Sequence, residues 1–132
     1  MANIPEGQFG AAREPHVLAA PALTFDLAAE AQALMREPLW EAHGHNAKTL
    51  TKHPDFRVVL IALKAGVRVP PAKLDHCTTL QLLTGRLTVR LPDQSFELGG
   101  GHLLALGQTV PHDMVAEEDS VLVLSLGWTT RT

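Results

Sequence analysis

The chain has 132 residues, 45% of them apolar, which is enough for one domain with a real core and too few for two ordinary ones. Its formal net charge is −3 and its pI about 6.1, so no basic field is available to attract nucleic acid. A single cysteine, Cys77, excludes an internal disulfide framework and suits a reducing compartment. No apolar run approaches a membrane span, and the start lacks the cationic and apolar blocks of a secretory leader. The expected location is cytoplasmic.

Residues 1–22 are rich in Ala, Gly and Pro without a clear period, and are expected to form a loosely ordered arm. A single domain is expected over 23–132, with its barrel core at about 57–126. Asp26 is the expected N-cap of a helix over Leu27–Arg36, because its carboxylate can accept the orphan N–H groups of the first turn. Leu27, Ala31, Leu34 and Met35 then share one face. Glu37-Pro38 ends the helix, since proline pushes the preceding residue out of the α region.

Leu39–Lys52 is ambiguous, with Trp40 as an anchor and a short strand at Ala47–Thr51. Pro54-Asp55 marks a turn. Arg57–Leu63 is dense in β-branched residues and predicts a strand buried on at least one side. After a corner at Lys64–Gly66, Val67–Val69 is extended as far as Pro70-Pro71. Thr78–Leu91 predicts two strands around Thr84-Gly85, a hairpin that organises the rest. Leu80 and Leu82 share a face of its first strand, and Leu87, Val89 and Leu91 a face of its second. Phe96–Leu98 is a short strand, Gly99–Gly101 a bend, Leu103–Leu106 a buried strand and Val121–Leu126 the last strong strand. Many short strands between Gly and Pro turns predict an all-β barrel or double-sheet sandwich.

Two stretches follow a spaced pattern. Gly66 and Gly85 stand at the two glycine positions of a motif that runs glycine, five residues, His, one residue, His, three or four residues, Glu, six residues, glycine. Gly101 opens and His112 closes a second one, with Gly107 and Thr109 where proline and glycine are usual. In these motifs the chain resembles the cupin superfamily over about 57–126. The resemblance implies a cupin-type jelly-roll β-barrel with a short N-terminal helix outside it. It also implies a homodimer, and exposed sheet edges that pairing would cover point the same way.

A cupin ordinarily grips a divalent ion with three His and one Glu. Here three of those positions fall on Ala72, Leu74 and Thr78, and only His112 remains. One imidazole does not make a metal site. His112 is therefore a candidate ligand-orienting group or general base, or else a histidine bonded to backbone at the barrel mouth. His76, in the loop before the hairpin, could join His112 in a reduced metal site, perhaps with Asp75, although a solvated loop is the preferred reading. Gln81 lies on the strand face opposite Leu80 and Leu82, toward solvent or a partner subunit. His43-Gly44-His45 could present two imidazoles together, but a polar loop is preferred. His102 is read as structural or exposed.

The interior is expected to be lined by Leu80, Leu82, Leu104 and Val123, with His112 near the mouth. The ligand-binding candidates are thus His112, Leu80 and Leu82, and the metal candidates His112 and His76. The expected function is a barrel that binds or senses a small organic ligand, with a degenerate metal site. The alternative is a metal-dependent dioxygenase or isomerase using His112 with non-standard donors such as His76. A purely structural dimerisation unit is the third reading. No cofactor is favoured, Mn, Fe, Ni or Zn being the ions in question; neither nucleic acid nor membrane is an expected partner.

Overall fold

A computed structural model describes residues 21–72, 77–107 and 110–127, leaving out the side chains of 70–72. Two helices, α1 (Leu27–Arg36) and α2 (Pro38–His43), precede nine strands among these residues. The strands are β1 (His45–His53), β2 (Phe56–Leu63), β3 (Arg68–Ala72), β4 (Cys77–Thr84), β5 (Arg86–Arg90), β6 (Ser95–Gly99), β7 (Leu103–Leu106), β8 (His112–Ala116) and β9 (Ser120–Gly127). They form a five-stranded sheet in the order β1-β2-β9-β4-β7 and a four-stranded sheet in the order β3-β8-β5-β6, with every pairing antiparallel. This is the two-sheet jelly roll implied by the motifs. The expected arm falls outside the described residues up to position 20.

Most inward-facing positions of both sheets are apolar. Leu80, Leu82, Leu87, Val89, Ile61, Leu63 and Leu122 meet in a single cluster, sealed from solvent. A second cluster lies on the outer face of the five-stranded sheet, where Ala31, Leu34 and Trp40 cover Leu50, Leu60, Ala62 and Val121. The two faces of β2 and β9 are thus both buried, one against the barrel and one against the helices. Val123 belongs with this outer cluster and not with the barrel lining. Its parity is that of Val121, and Leu122, Leu124 and Leu126 are the residues that turn inward. Leu104 does pack against the inner cluster.

Helix α1 has the expected bounds, and Asp26 Oδ1 accepts the Ala29 N–H at 3.1 Å. The ambiguous stretch resolves into α2 and the nine-residue β1. Gly44, at φ 75°, ends α2 and turns the chain into the sheet. Asn46 is 2% exposed and fastens the helices to the sheet. Its amide donates to the Leu34 carbonyl and to Glu37 Oε1, each at 2.9 Å, so a helix-end carbonyl is satisfied inside the protein. Lys48 adds an ion pair to Glu30 at 2.7 Å.

Three further expectations change. The stretch around Gly85 is not a hydrogen-bonded hairpin: β4 pairs with β7 and β9, whereas β5 pairs with β6 and β8. The alternation is right on both sides, but the corner carries the chain from one sheet to the other. β3 runs on through Pro70-Pro71 to Ala72, with an irregularity between Val69 and Ala72. It is an edge strand, where missing N–H groups are tolerated. β7 is also an edge, so Leu103 is 56% exposed instead of buried. No helix of the described residues is long and apolar enough to cross a membrane.

Candidate ligand site at the open end of the barrel

The strand directions define two ends. At one lie the corner at Gly85, the turn at Gly101 and the bend before Ser120. At the other lie the ends of β1, β3, β5, β7 and β9 and the starts of β2, β4, β6 and β8. Thr78 and His112, the described motif positions with polar side chains, both stand at this second end.

Cross-strand register places a row of residues there. Lys52, Arg57, Leu126, Thr78 and Leu106 are successive partners across β1, β2, β9, β4 and β7. Directly opposed residues of an antiparallel pair share a face. Leu126 and Leu106 belong to the barrel cluster, so the row faces inward. Parity along β2 agrees, since Val59, Ile61 and Leu63 continue the face that Arg57 begins. The irregularity in β1 between Thr49 and Thr51 resets the alternation and brings Lys52 opposite Arg57. Both cations are half-buried.

Thr78 is buried, and its Oγ1 has no hydrogen-bond partner. Such an orphan hydroxyl is costly in an apolar setting. From the other sheet, His112 begins β8 with Ala72 as its cross-strand partner. Met114 and Ala116 continue its inward face, and only 5% of its surface is exposed. The His112 Nδ1 lies 3.1 Å from the Val110 carbonyl oxygen. A carbonyl can only accept, so Nδ1 carries the proton and Nε2 remains for another partner. An open groove of about 210 Å³ runs over the rim beside it, between Arg90-Leu91-Pro92 and Pro111–Asp113. Asp113 points outward, held by Arg68 at 3.3 Å and Arg90 at 3.1 Å. Hydrogen bonding and charge from Asp113 raise the Arg90 pKa above its ordinary value.

The remaining sequence candidates scatter. Leu80 and Leu82 are wholly enclosed, so they support the site from below instead of lining its opening. His76 and Leu74 lie outside the described residues. Cys77 is exposed at the start of β4, and Gln81 is exposed as expected. His102 is exposed and structural: its Nδ1 accepts the Gly99 N–H at 2.9 Å and fastens the glycine turn. The rings of His43 and His45 have centroids 5.9 Å apart. Burial first, then the neighbouring His43, lowers the His45 pKa. Among the described residues no three His, Cys, Asp or Glu side chains come together as metal donors. Arg57 and Lys52 were not singled out in the sequence, although period-two counting back from Val59 reaches Arg57.

Solved structures share this fold at low sequence identity. A cupin superfamily protein from Desulfitobacterium hafniense superposes with a TM-score of 0.63 at 14% identity, covering 64% of this chain and 78% of that one. The chain has the cupin fold. Other solved structures match a larger share of the chain. A conserved protein of unknown function from Streptococcus pyogenes gives 0.69 at 17% identity, over 86% of this chain and 94% of that one. A salicylate 1,2-dioxygenase from Pseudoaminobacter salicylatoxidans gives 0.73 at 20% identity, and there the matched part is 86% of this chain but 35% of the dioxygenase. No family model and no curated protein matches the sequence.

Against the donor set of metal-holding cupins, the described residues fit poorly. Ala72 has no donor atom, and Thr78 offers a neutral hydroxyl where a carboxylate would stand. Only the imidazole of His112 is of the right kind.

Proposed function

We propose that this cupin barrel is a small-molecule binding or sensing module, homodimeric and cytoplasmic, whose metal-holding positions are taken by other side chains. The observation that carries the reading is Thr78. It sits inward at the open end with a buried, unpartnered hydroxyl, facing an apolar lining. A polar group kept without a partner in such a place is explained by a ligand that supplies one. His112 supports the reading from the opposite sheet, since its backbone bond fixes the ring and leaves Nε2 for a ligand.

A metal-dependent enzyme of dioxygenase or isomerase type is the second reading. It is favoured by the overlap with the salicylate 1,2-dioxygenase and by the inward position of His112. Elemental analysis of untagged protein, purified without chelator, separates the two. The binding reading predicts far less than one metal per chain and an unchanged Tm on adding Mn, Fe, Ni or Zn, because a native-state ligand raises apparent stability. About one metal per chain, lost in His112→Ala, would put the enzyme reading ahead instead.

A further inference from the structure

We infer that the second copy of the homodimer docks on the outer face of the five-stranded sheet, on the part that α1 and α2 leave open. The inference rests on the homodimer of the reading above and names its contact surface.

The two outer sheet faces differ in charge. None of the residues of β4, β7 and β9 is charged or a histidine. In β2 the one charged residue, Arg57, shares the parity of the inward Val59. The outer face of the four-stranded sheet instead carries Arg68, Arg86, Arg90, Glu97 and Asp113, joined in ion pairs. An antiparallel sheet that ends in water ordinarily shows a polar face of that kind.

Cross-strand register lays out the uncharged face. Val58, Ser125, Thr79 and Ala105 are successive partners across β2, β9, β4 and β7. Gln81 stands beside Leu103 in the row on one side, and Phe56 beside Gly127 in the row on the other. The helices bury Leu60, Ala62 and Val121, whereas Phe56, Gln81, Leu103 and Ala105 are all exposed. At about 6.8 Å for every second residue and about 4.8 Å per strand, three rows on four strands cover roughly 400 Å². That is about half of one partner's share in a standard interface, the size of an apolar centre that a polar rim completes.

The face is complementary to itself, which selects a second copy over an unlike partner. A two-fold contact sets the same patch on both sides, so a charge near the axis would meet its own sign. Among the described residues this patch has none, and its polar centre is the Gln81 amide with the hydroxyls of Thr79 and Ser125. Each of these groups both donates and accepts, and so can pair with its own counterpart. Leu103 adds an exposed apolar side chain on β7, an edge strand without a charged residue to guard it.

The test is sedimentation velocity of the full chain from about 1 µM to about 500 µM. A dimer with a Kd of about 10 µM or tighter is expected for a contact of this size. Leu103→Lys and, separately, Gln81→Lys should each raise that Kd at least about tenfold, because like charges then oppose each other. Both side chains are exposed in the single chain, so its urea midpoint, measured at a concentration below the Kd, should stay unchanged. Gln81→Lys keeps the test decisive should Leu103→Lys fold poorly. Mixing Gln81→Lys with Gln81→Glu chains should restore the dimer between unlike charges. Ser95→Lys, opposite Arg90 on the outer face of the other sheet, should leave the Kd as it is.

A dimer that both lysine variants leave intact, or that Ser95→Lys weakens as much, would overturn this surface and leave the homodimer standing. A wild-type chain that stays monomeric throughout would overturn both. The same result is expected if another segment of the chain, or an unlike protein, is what covers the face.

Discussion

The two ends of the barrel are built in opposite ways. At the end that holds Gly85, backbone groups reach across the corners. Gly66 N–H meets the Ala116 carbonyl at 2.7 Å, Gly101 N–H meets Leu82 at 2.7 Å, and Glu117 N–H meets Arg86 at 2.8 Å. Asp119 accepts the Ala65 N–H at 2.8 Å, and the Ser120 hydroxyl donates to the Glu118 carbonyl at 2.7 Å. At the open end, polar side chains turn inward instead, and one of them has no partner at all. Rigidity is concentrated where chain segments cross, and unmet hydrogen-bonding capacity where a ligand could enter. A binding fold needs both, since a scaffold positions the groups that are left available.

The braced end should be the more sensitive to a single methyl group. Gly85 sits at φ 97°, and a Cβ there would collide with the Asp119 carbonyl and approach the Ser120 Cα to 2.7 Å. Backbone strain and steric overlap add, so Gly85→Ala should cost about 3 kcal/mol or more in urea unfolding. Gly101 also has positive φ, at 90°, but a Cβ there would meet nothing within 4 Å. Gly101→Ala should therefore cost only the left-handed conformation, about 1 kcal/mol. Equal losses would mean that the crossing at Gly85 is not the brace described here.

The open end should respond with the opposite sign. Thr78→Val keeps the shape and removes a buried hydroxyl that has no partner. Stability should rise by about 1 kcal/mol, seen as a higher urea midpoint with an unchanged slope. The same change weakens ligand binding, so stability and affinity should move apart. A destabilised Thr78→Val protein would show that the hydroxyl is satisfied in solution.

How much of this was legible depends on which pattern each segment writes. Helix α1 announces itself because Asp26 caps it and Pro38 stops it, and the observed bounds agree. Strands β2, β4, β5 and β9 are clear from β-branched density and alternation, whereas pairing partners are not. The alternation of Leu80, Leu82, Leu87 and Val89 is the same for a hairpin and for a chain that changes sheets. β8 went unseen because His112 and Asp113 break the apolar run, although His112, Met114 and Ala116 all face inward. Arg57 was hidden for the converse reason. The run RVVLIAL is buried on both faces, between the barrel and α1, so its parity vanishes in continuous hydrophobicity. The spaced glycines carried the fold. The charge at the open end emerges only from the register that places Lys52, Arg57 and Thr78 in one row.

The smallest effect expected is electrostatic and belongs to the braced end. His45 opens β1 immediately after Gly44, and burial together with His43 lowers its pKa below the ordinary value of 6.5. The unfolded chain then takes up this proton at a higher pH than the folded one does. Unfolding gains protons in that interval, so stability rises with pH there, is fully present above 6.5, and levels off below the folded pKa. His45→Gln removes this contribution. Between about pH 7.5 and about pH 5.5 the wild-type Tm should fall further than that of the variant. His43→Gln should narrow the gap only partly, because desolvation of His45 outweighs the charge beside it. A variant whose Tm fell as steeply as the wild type would show that His45 titrates at its solution value, and that the junction between α2 and β1 is open to water.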